Sequence, residues 1–254
     1  GSLVDPVVSI VTPGVTPVSM EPGSGFDALE TVTLVAGADA DANLEDVYGD
    51  FVLDVSAGNN ANVDLFNTEA VSATISAGNS AVVDVSGDTI GNWSLETLTV
   101  SAGNSATVDL SDNLASFTTL DVSQVGTNLT GLTTLTVDAS DALYGATAVT
   151  YVLGATDTIT FDAEAAGATR EIFTFDGAGI DSITINDFEG GNTVDSDRID
   201  LSAFGVTSAG ELSFVDVGGN LEITSIDGAF AGHITLVGLG ADANDVSQFN
   251  IIYA

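Results

Sequence analysis

The chain has 254 residues, of which 37 are acidic and only two, Arg170 and Arg198, are basic, for a formal net charge of −35. That balance argues against nucleic acid as a partner, because phosphate contacts need Lys or Arg, and it disfavours anionic membrane surfaces. A hydrophobic share of 44% excludes a disordered acidic tail, and the absence of cysteine excludes disulfides and thiolate metal sites.

Self-repulsion at this charge destabilises a compact state unless cations bind or screen it. Ca²⁺ is the natural candidate, as a hard cation that prefers carboxylate and carbonyl oxygens. No apolar run approaches the roughly 20 residues of a membrane-spanning helix, so membrane insertion is not expected.

In chain order, residues 1–26 hold all four prolines, Pro6, Pro13, Pro17 and Pro22, followed by Gly23-Ser24-Gly25. This stretch reads as a linker or tag remnant, with an edge strand of the main domain as the alternative. The opening Gly1-Ser2, without Met, suggests a piece of a longer protein.

Residues 27–170 repeat. Ser56-Ala57-Gly58-Asn59 begins a ten-residue motif that returns at Ser76 and Ser101, at spacings of 20 and 25 residues. A second motif interleaves with it at Leu29–Leu34, Leu95–Val100 and Leu132–Val137, with a looser copy at Phe117–Val122. Both alternate apolar and polar residues with period two, the mark of a strand with one buried face. Short strands returning every ~20 residues predict an all-β parallel β-solenoid, in which stacked coils bury what one coil cannot. A β-sandwich is the alternative.

Gly-Asn pairs fall between strands. Asn59, Asn79 and Asn104 are expected in left-handed turn positions, with a stacked hydrogen-bonded ladder as the alternative. Asp64, Asp84 and Asp109 recur in step. They either face solvent singly or form a like-charge row that needs a cation between its members.

Residues 171–254 change character and are expected to form a C-terminal β cap. Strand-like runs at Leu212–Val217, Leu221–Ile226 and His233–Val237 are split by Gly218-Gly219-Asn220 and Asp227-Gly228, which are hairpin signals. The group Asp195, Asp197 and Asp200 around Arg198 reads as a surface loop with an exposed ion pair, with a metal site as the alternative. His233, the single histidine, reads as a structural strand residue. No G-x-S-x-G elbow or H-E-x-x-H helix occurs, and Trp93 is the only tryptophan, so no aromatic sugar platform is visible. No enzyme is expected.

Asp176-Gly177-Ala178-Gly179-Ile180-Asp181-Ser182-Ile183 resembles one copy of the calcium β-roll nonapeptide G-G-x-G-x-D-x-U-x, with Asp176 for the first Gly. A degenerate second copy lies at Thr156–Ile159, where Ala155 replaces Gly. Asp187-Phe188, then Asp197-Arg198-Ile199-Asp200-Leu201-Ser202, and the ending Phe249-Asn250-Ile251-Ile252-Tyr253 resemble the C-terminal region of RTX-type proteins exported through type I secretion channels. Residues 27–160 resemble, through the strands at Leu29 and Leu95, the solenoid of calcium-dependent S-layer proteins of Gram-negative bacteria.

The resemblance implies a secreted, calcium-binding structural protein at the bacterial cell surface. It would assemble a lattice by self-association and engage a type I secretion transporter through its C-terminus. The alternatives are the terminal piece of an RTX adhesin or the secretion and folding module of an exported hydrolase. By the same resemblance Gly177 and Gly179 would offer carbonyl oxygens to Ca²⁺ and Asp181 a carboxylate. Asp157 of the adjacent coil and Asp176 would join them, with Asp162 a further addition. A purely structural reading makes Asp181 an Asx turn.

Overall fold

The structure, a computed structural model, describes residues 7–12, 16–20, 31–45, 47, 50–86, 94–111, 113–127, 132–164, 169–176 and 179–254. Five strand pairs come first: β1 (Val7–Thr12) and β2 (Thr16–Met20), β3 (Thr31–Ala36) and β4 (Ala40–Glu45), β5 (Phe51–Ala57) and β6 (Asn60–Phe66), β7 (Ala70–Ala77) and β8 (Ser80–Ser86), β9 (Thr97–Ala102) and β10 (Ser105–Ser111). After the short β11 (Asn113–Leu114) come β12 (Thr119–Asp121), β13 (Thr134–Asp138), the short β14 (Leu143–Tyr144), β15 (Ala148–Leu153), β16 (Thr158–Asp162), β17 (Arg170–Phe175) and β18 (Ser182–Asn186). The last part holds β19 (Arg198–Asp200), β20 (Leu212–Val217), β21 (Asn220–Ser225), β22 (His233–Leu236) and β23 (Ile251–Ile252).

Apart from β11 and β14, which pair only with each other, and the run β20 to β22, successive strands alternate between two sheets. The first runs β1-β3-β5-β7-β9-β12-β15-β17-β19-β23, and the second β2-β4-β6-β8-β10-β13-β16-β18-β22-β21-β20. Pairing is parallel throughout the first sheet and in the second as far as β22. This is a parallel β-solenoid, each coil adding one strand to each sheet. The period-two pattern is its cause: β5 alternates buried and exposed residues along its whole length. Its inward side chains meet those of the facing sheet.

Stacking turns inward positions into rows. Val32, Leu53, Ala73, Leu98, Leu120, Tyr151, Phe173 and Ile199 follow one another across the first sheet. Val63, Val83, Val108, Val137, Phe161 and Ile185 do so across the second. Aromatic rings take over towards the C-terminal end. Tyr151 and Phe161 lie 4.4 Å apart between centroids, and Phe161 meets Phe173 edge-on at 5.0 Å. Among the described residues no helix is long and apolar enough to cross a membrane.

Three segments take particular places in the coil. The segment 1–26 is not a free linker where it is described: β1 pairs in register with β3, and β2 with β4. Pro17 sits within β2, the outermost described strand of its sheet, the place in a sheet where proline is tolerated. The motif copy at Leu132 belongs to the second sheet rather than the first, since Thr134 stacks on Ser105. Its leading Leu132 is accordingly 76% exposed, whereas Leu95 of the earlier copy is fully buried. Finally, residues 171–254 carry the coils onward through β17, β18, β19, β22 and β23. The antiparallel β20–β21 hairpin closes the edge of the second sheet, and Gly218 and Gly219 turn it at φ 66° and 93°.

Candidate cation-binding site

The site starts at the corner where the chain leaves the first sheet for the second. Between β5 and β6, and between β7 and β8, only a Gly-Asn pair makes the turn. None of these residues has positive φ: Asn67 and Asp187 are the only described non-glycine residues that do. The left-handed reading of Asn59, Asn79 and Asn104 is therefore corrected. Glycine is required for another reason, because a Cβ on Gly78 would land inside the van der Waals distance of the Gly58 carbonyl oxygen. Stacked corners approach too closely for a side chain.

The Asn residues form the ladder instead. Asn79 N–H donates to the Asn59 carbonyl at 2.7 Å and Asn104 N–H to the Asn79 carbonyl at 2.7 Å. Their side chains join in, with Asn104 Nδ2 donating to Asn79 Oδ1 and Asn79 Nδ2 to Asn60 Oδ1. A regular corner thus spends its polar groups within the stack.

Further along, carboxylates replace the amides. The residues just before β13, β16 and β18 are Thr133, Asp157 and Asp181, the next steps of the same corner line. Thr133 donates its N–H (2.7 Å) and its hydroxyl (2.8 Å) to Asp157 Oδ2. These bonds, the N–H foremost, hold the Asp157 carboxyl below its ordinary range. Asp181 takes the same position one coil on, since Ser182 stacks on Thr158, and its side chain adds the smallest of the effects that lower Asp157.

Of the residues expected to hold calcium, the structure therefore joins Asp157 and Asp181. Gly179 adopts φ 130°, a conformation that favours glycine. Asp176 is exposed and lines a shallow groove with Gln124 and Ala155. Gly177 lies outside the described residues. Among the described residues no group of three or more Asp, Glu or His side chains is gathered tightly enough to hold a metal by itself. A Ca²⁺ at Asp157 and Asp181 would take its remaining oxygens from carbonyls and water.

The larger feature lies on the outer face of the second sheet. Asn43, Asp64, Asp84, Asp109, Asp138, Asp162 and Asn186 stack in one unbroken register. Five aspartates in a row are closed at each end by an asparagine. Asn186 Nδ2 donates to Asp162 Oδ1, showing how an amide terminates the line. At Asp64, partial burial raises the carboxyl pKa, and the charges of Asp84, Glu45 and Asp41 add to it. Asp84 Oδ1 is buried and accepts no hydrogen bond. Adjacent strands lie about 4.8 Å apart, and calcium–oxygen distances are about 2.4 Å. A Ca²⁺ midway between neighbouring carboxylates therefore matches the step of the sheet. A groove lined by Asn43, Glu45, Asp64, Phe66 and Ser86 flanks the start of the row.

Sequence repeats revealed Asp64, Asp84 and Asp109, but not Asp138 and Asp162, because longer corner loops break the spacing before β13 and β16. The usable signal was the final Asp of Thr134–Asp138 and Thr158–Asp162.

The Asp195–Asp200 reading is also corrected. Asp197 is 1% exposed, and its carboxylate accepts the N–H groups of Glu171 (2.9 Å) and Glu189 (2.7 Å). Arg198 Nη1 donates to the carbonyls of Ser196 and Asp197, not to a carboxylate. His233 lies in β22, partly buried, 3.4 Å from Ser182 Oγ.

No known protein family, no curated protein and no solved structure matches the chain.

Proposed function

We propose that this protein is a calcium-dependent structural β-solenoid, exported to the bacterial cell surface and assembling there into a layer. The observation that carries the reading is the in-register row of five aspartates, supported by the close Asp157–Asp181 pair. Both are placements in which unneutralised charge opposes stacking and a divalent cation favours it. At low calcium the acidic chain would stay open and suit a narrow export channel. Outside, calcium would bind as the coils stack, so that metal binding and folding are one event. A flat sheet face bearing regularly spaced carboxylates also suits calcium-bridged contact between copies that otherwise repel.

The test is a Ca²⁺ titration after chelation, followed by circular dichroism and light scattering, with Mg²⁺ as control. Strand signal and particle size should rise together with Ca²⁺. Equal secondary structure, melting temperature and particle size in EDTA and in Ca²⁺ would sink the proposal.

A further inference from the structure

A second polar system lies inside the solenoid rather than on it. Glu171 occupies an inward position of β17, on the same side as Phe173 and Phe175, and is 1% exposed. Its Oε1 accepts the Tyr151 hydroxyl at 2.6 Å, and Tyr151 contacts the Tyr144 hydroxyl at 2.7 Å. Its Oε2 accepts Glu164 N–H at 3.1 Å. The backbone N–H of the same residue donates to Asp197, the other buried carboxylate.

Asp197 in turn anchors the loop and the chain's last turn. Its second oxygen takes Glu189 N–H, and its carbonyl accepts Asn250 Nδ2 at 2.7 Å. Asn250, fully buried, also accepts Gly191 N–H at 2.9 Å. Loop 189–197 is thus pinned between β17 and the segment leading into β23.

The charged and titratable groups facing this pair are Tyr144 and Tyr151 from β14 and β15, and Glu164 following β16. Glu189 and, beside it, Asp195 come from the loop. Arg198 comes from β19, with Arg170 of β17 near it. Both arginines spend their described hydrogen bonds on loop carbonyls, Arg170 on Val194 and Arg198 on Ser196 and Asp197. No cationic side chain bonds either buried carboxylate among the described residues.

We propose that a proton on the Glu171–Asp197 pair latches loop 189–197 and the Asn250 segment onto the solenoid, so that this end opens as pH rises. Two ionised carboxylates buried without a bonded cation lose solvation and repel each other, and a proton on either removes that penalty at the cost of weakening one accepted hydrogen bond. The electrostatics agree. Burial first, and then the Asp197 charge, push Glu171 up to about 8. Burial raises Asp197 to about 7 against the pull of its two N–H donors.

Both folded-state values lie above the ordinary carboxyl range, so the closed state holds the extra proton. Its stability is complete at acid pH and falls as pH rises towards 8. Across that window the open fraction grows about tenfold per pH unit for each proton released.

The experiment is hydrogen exchange on the full 254-residue chain in saturating Ca²⁺, from pH 6 to 8.5, corrected for intrinsic exchange. Protection of loop 189–197 should fall in the wild type about tenfold per pH unit for each proton released, and level off above about 8, where the pair is fully ionised. It should fall by at least one proton's worth less in Glu171→Gln. Parallel profiles for the two proteins would overturn the latch. A ¹³C titration of the Glu171 carboxyl in the wild type decides the matter even where the variant does not fold. A protonated signal at pH 6.5 supports the latch, and an ionised one refutes it. Both proteins are compared at the same saturating Ca²⁺, so calcium binding elsewhere cancels between them.

Discussion

Replacing Asp84 by Asn should change the protein's stability in opposite directions at low and at high calcium. Asp84 stands in the row between Asp64 and Asp109, each one strand away. At about 4.8 Å, like charges repel by about 1 kcal/mol in water-like surroundings and about 3.5 kcal/mol at an effective dielectric of 20. Asp84 lies on the outer face with its Oδ1 buried, so the lower figure is the conservative one, and two neighbours give about 2 kcal/mol. An asparagine relieves that repulsion and can donate to an adjacent carboxylate, as Asn186 does to Asp162. At the lowest Ca²⁺ that keeps both proteins folded, Asp84→Asn should therefore be more stable than the wild type by about 2 kcal/mol. In millimolar Ca²⁺ it removes one carboxylate from two bridging positions. Any cation lost forfeits its binding free energy, about 1.4 kcal/mol for each tenfold excess of Ca²⁺ over Kd. The variant should then be the less stable of the two. Urea unfolding followed by circular dichroism in both conditions measures this directly. An equal displacement at low and at millimolar Ca²⁺ would refute the claim that the row binds cations.

Two further outcomes test the scaffold. Gly78→Ala sets a methyl against the Gly58 carbonyl, a backbone atom that cannot step aside; a loss of about 1–3 kcal/mol in urea unfolding is expected, and a neutral result would contradict the close corner stacking. Phe161→Ala empties the space between Tyr151 and Phe173; about 3–5 kcal/mol should be lost, with a change in the near-ultraviolet Tyr signal, and a loss under 1 kcal/mol would mean the ring is not part of a packed core.

Much of the architecture was legible in the order of residues. Alternation at Val52–Ala57 and the return of Ser-Ala-Gly-Asn announce stacked coils, because inward residues must repeat wherever coils superpose. The hairpin at Gly218-Gly219 was equally plain, since positive φ at adjacent positions selects glycine. The calcium reading at Asp157 and Asp181 came from a resemblance, and the structure puts those two carboxylates side by side. The corner asparagines were misjudged because Gly-Asn is also the signature of a left-handed turn, and only neighbouring coils reveal that the glycine serves close approach. One internal signal went unused: in Glu171-Ile172-Phe173-Thr174-Phe175 the acid falls on the same parity as the two rings.

Local chemistry by itself thus determined strand, alternation, charge and the coil-like repeat, since each depends on residues adjacent in sequence. Only the folded chain decided which residues share a register. The row from Asn43 to Asn186 and the meeting of Glu171 with Asp197 join positions separated by loops of unequal length, and the length of a loop does not reveal where the next strand will settle.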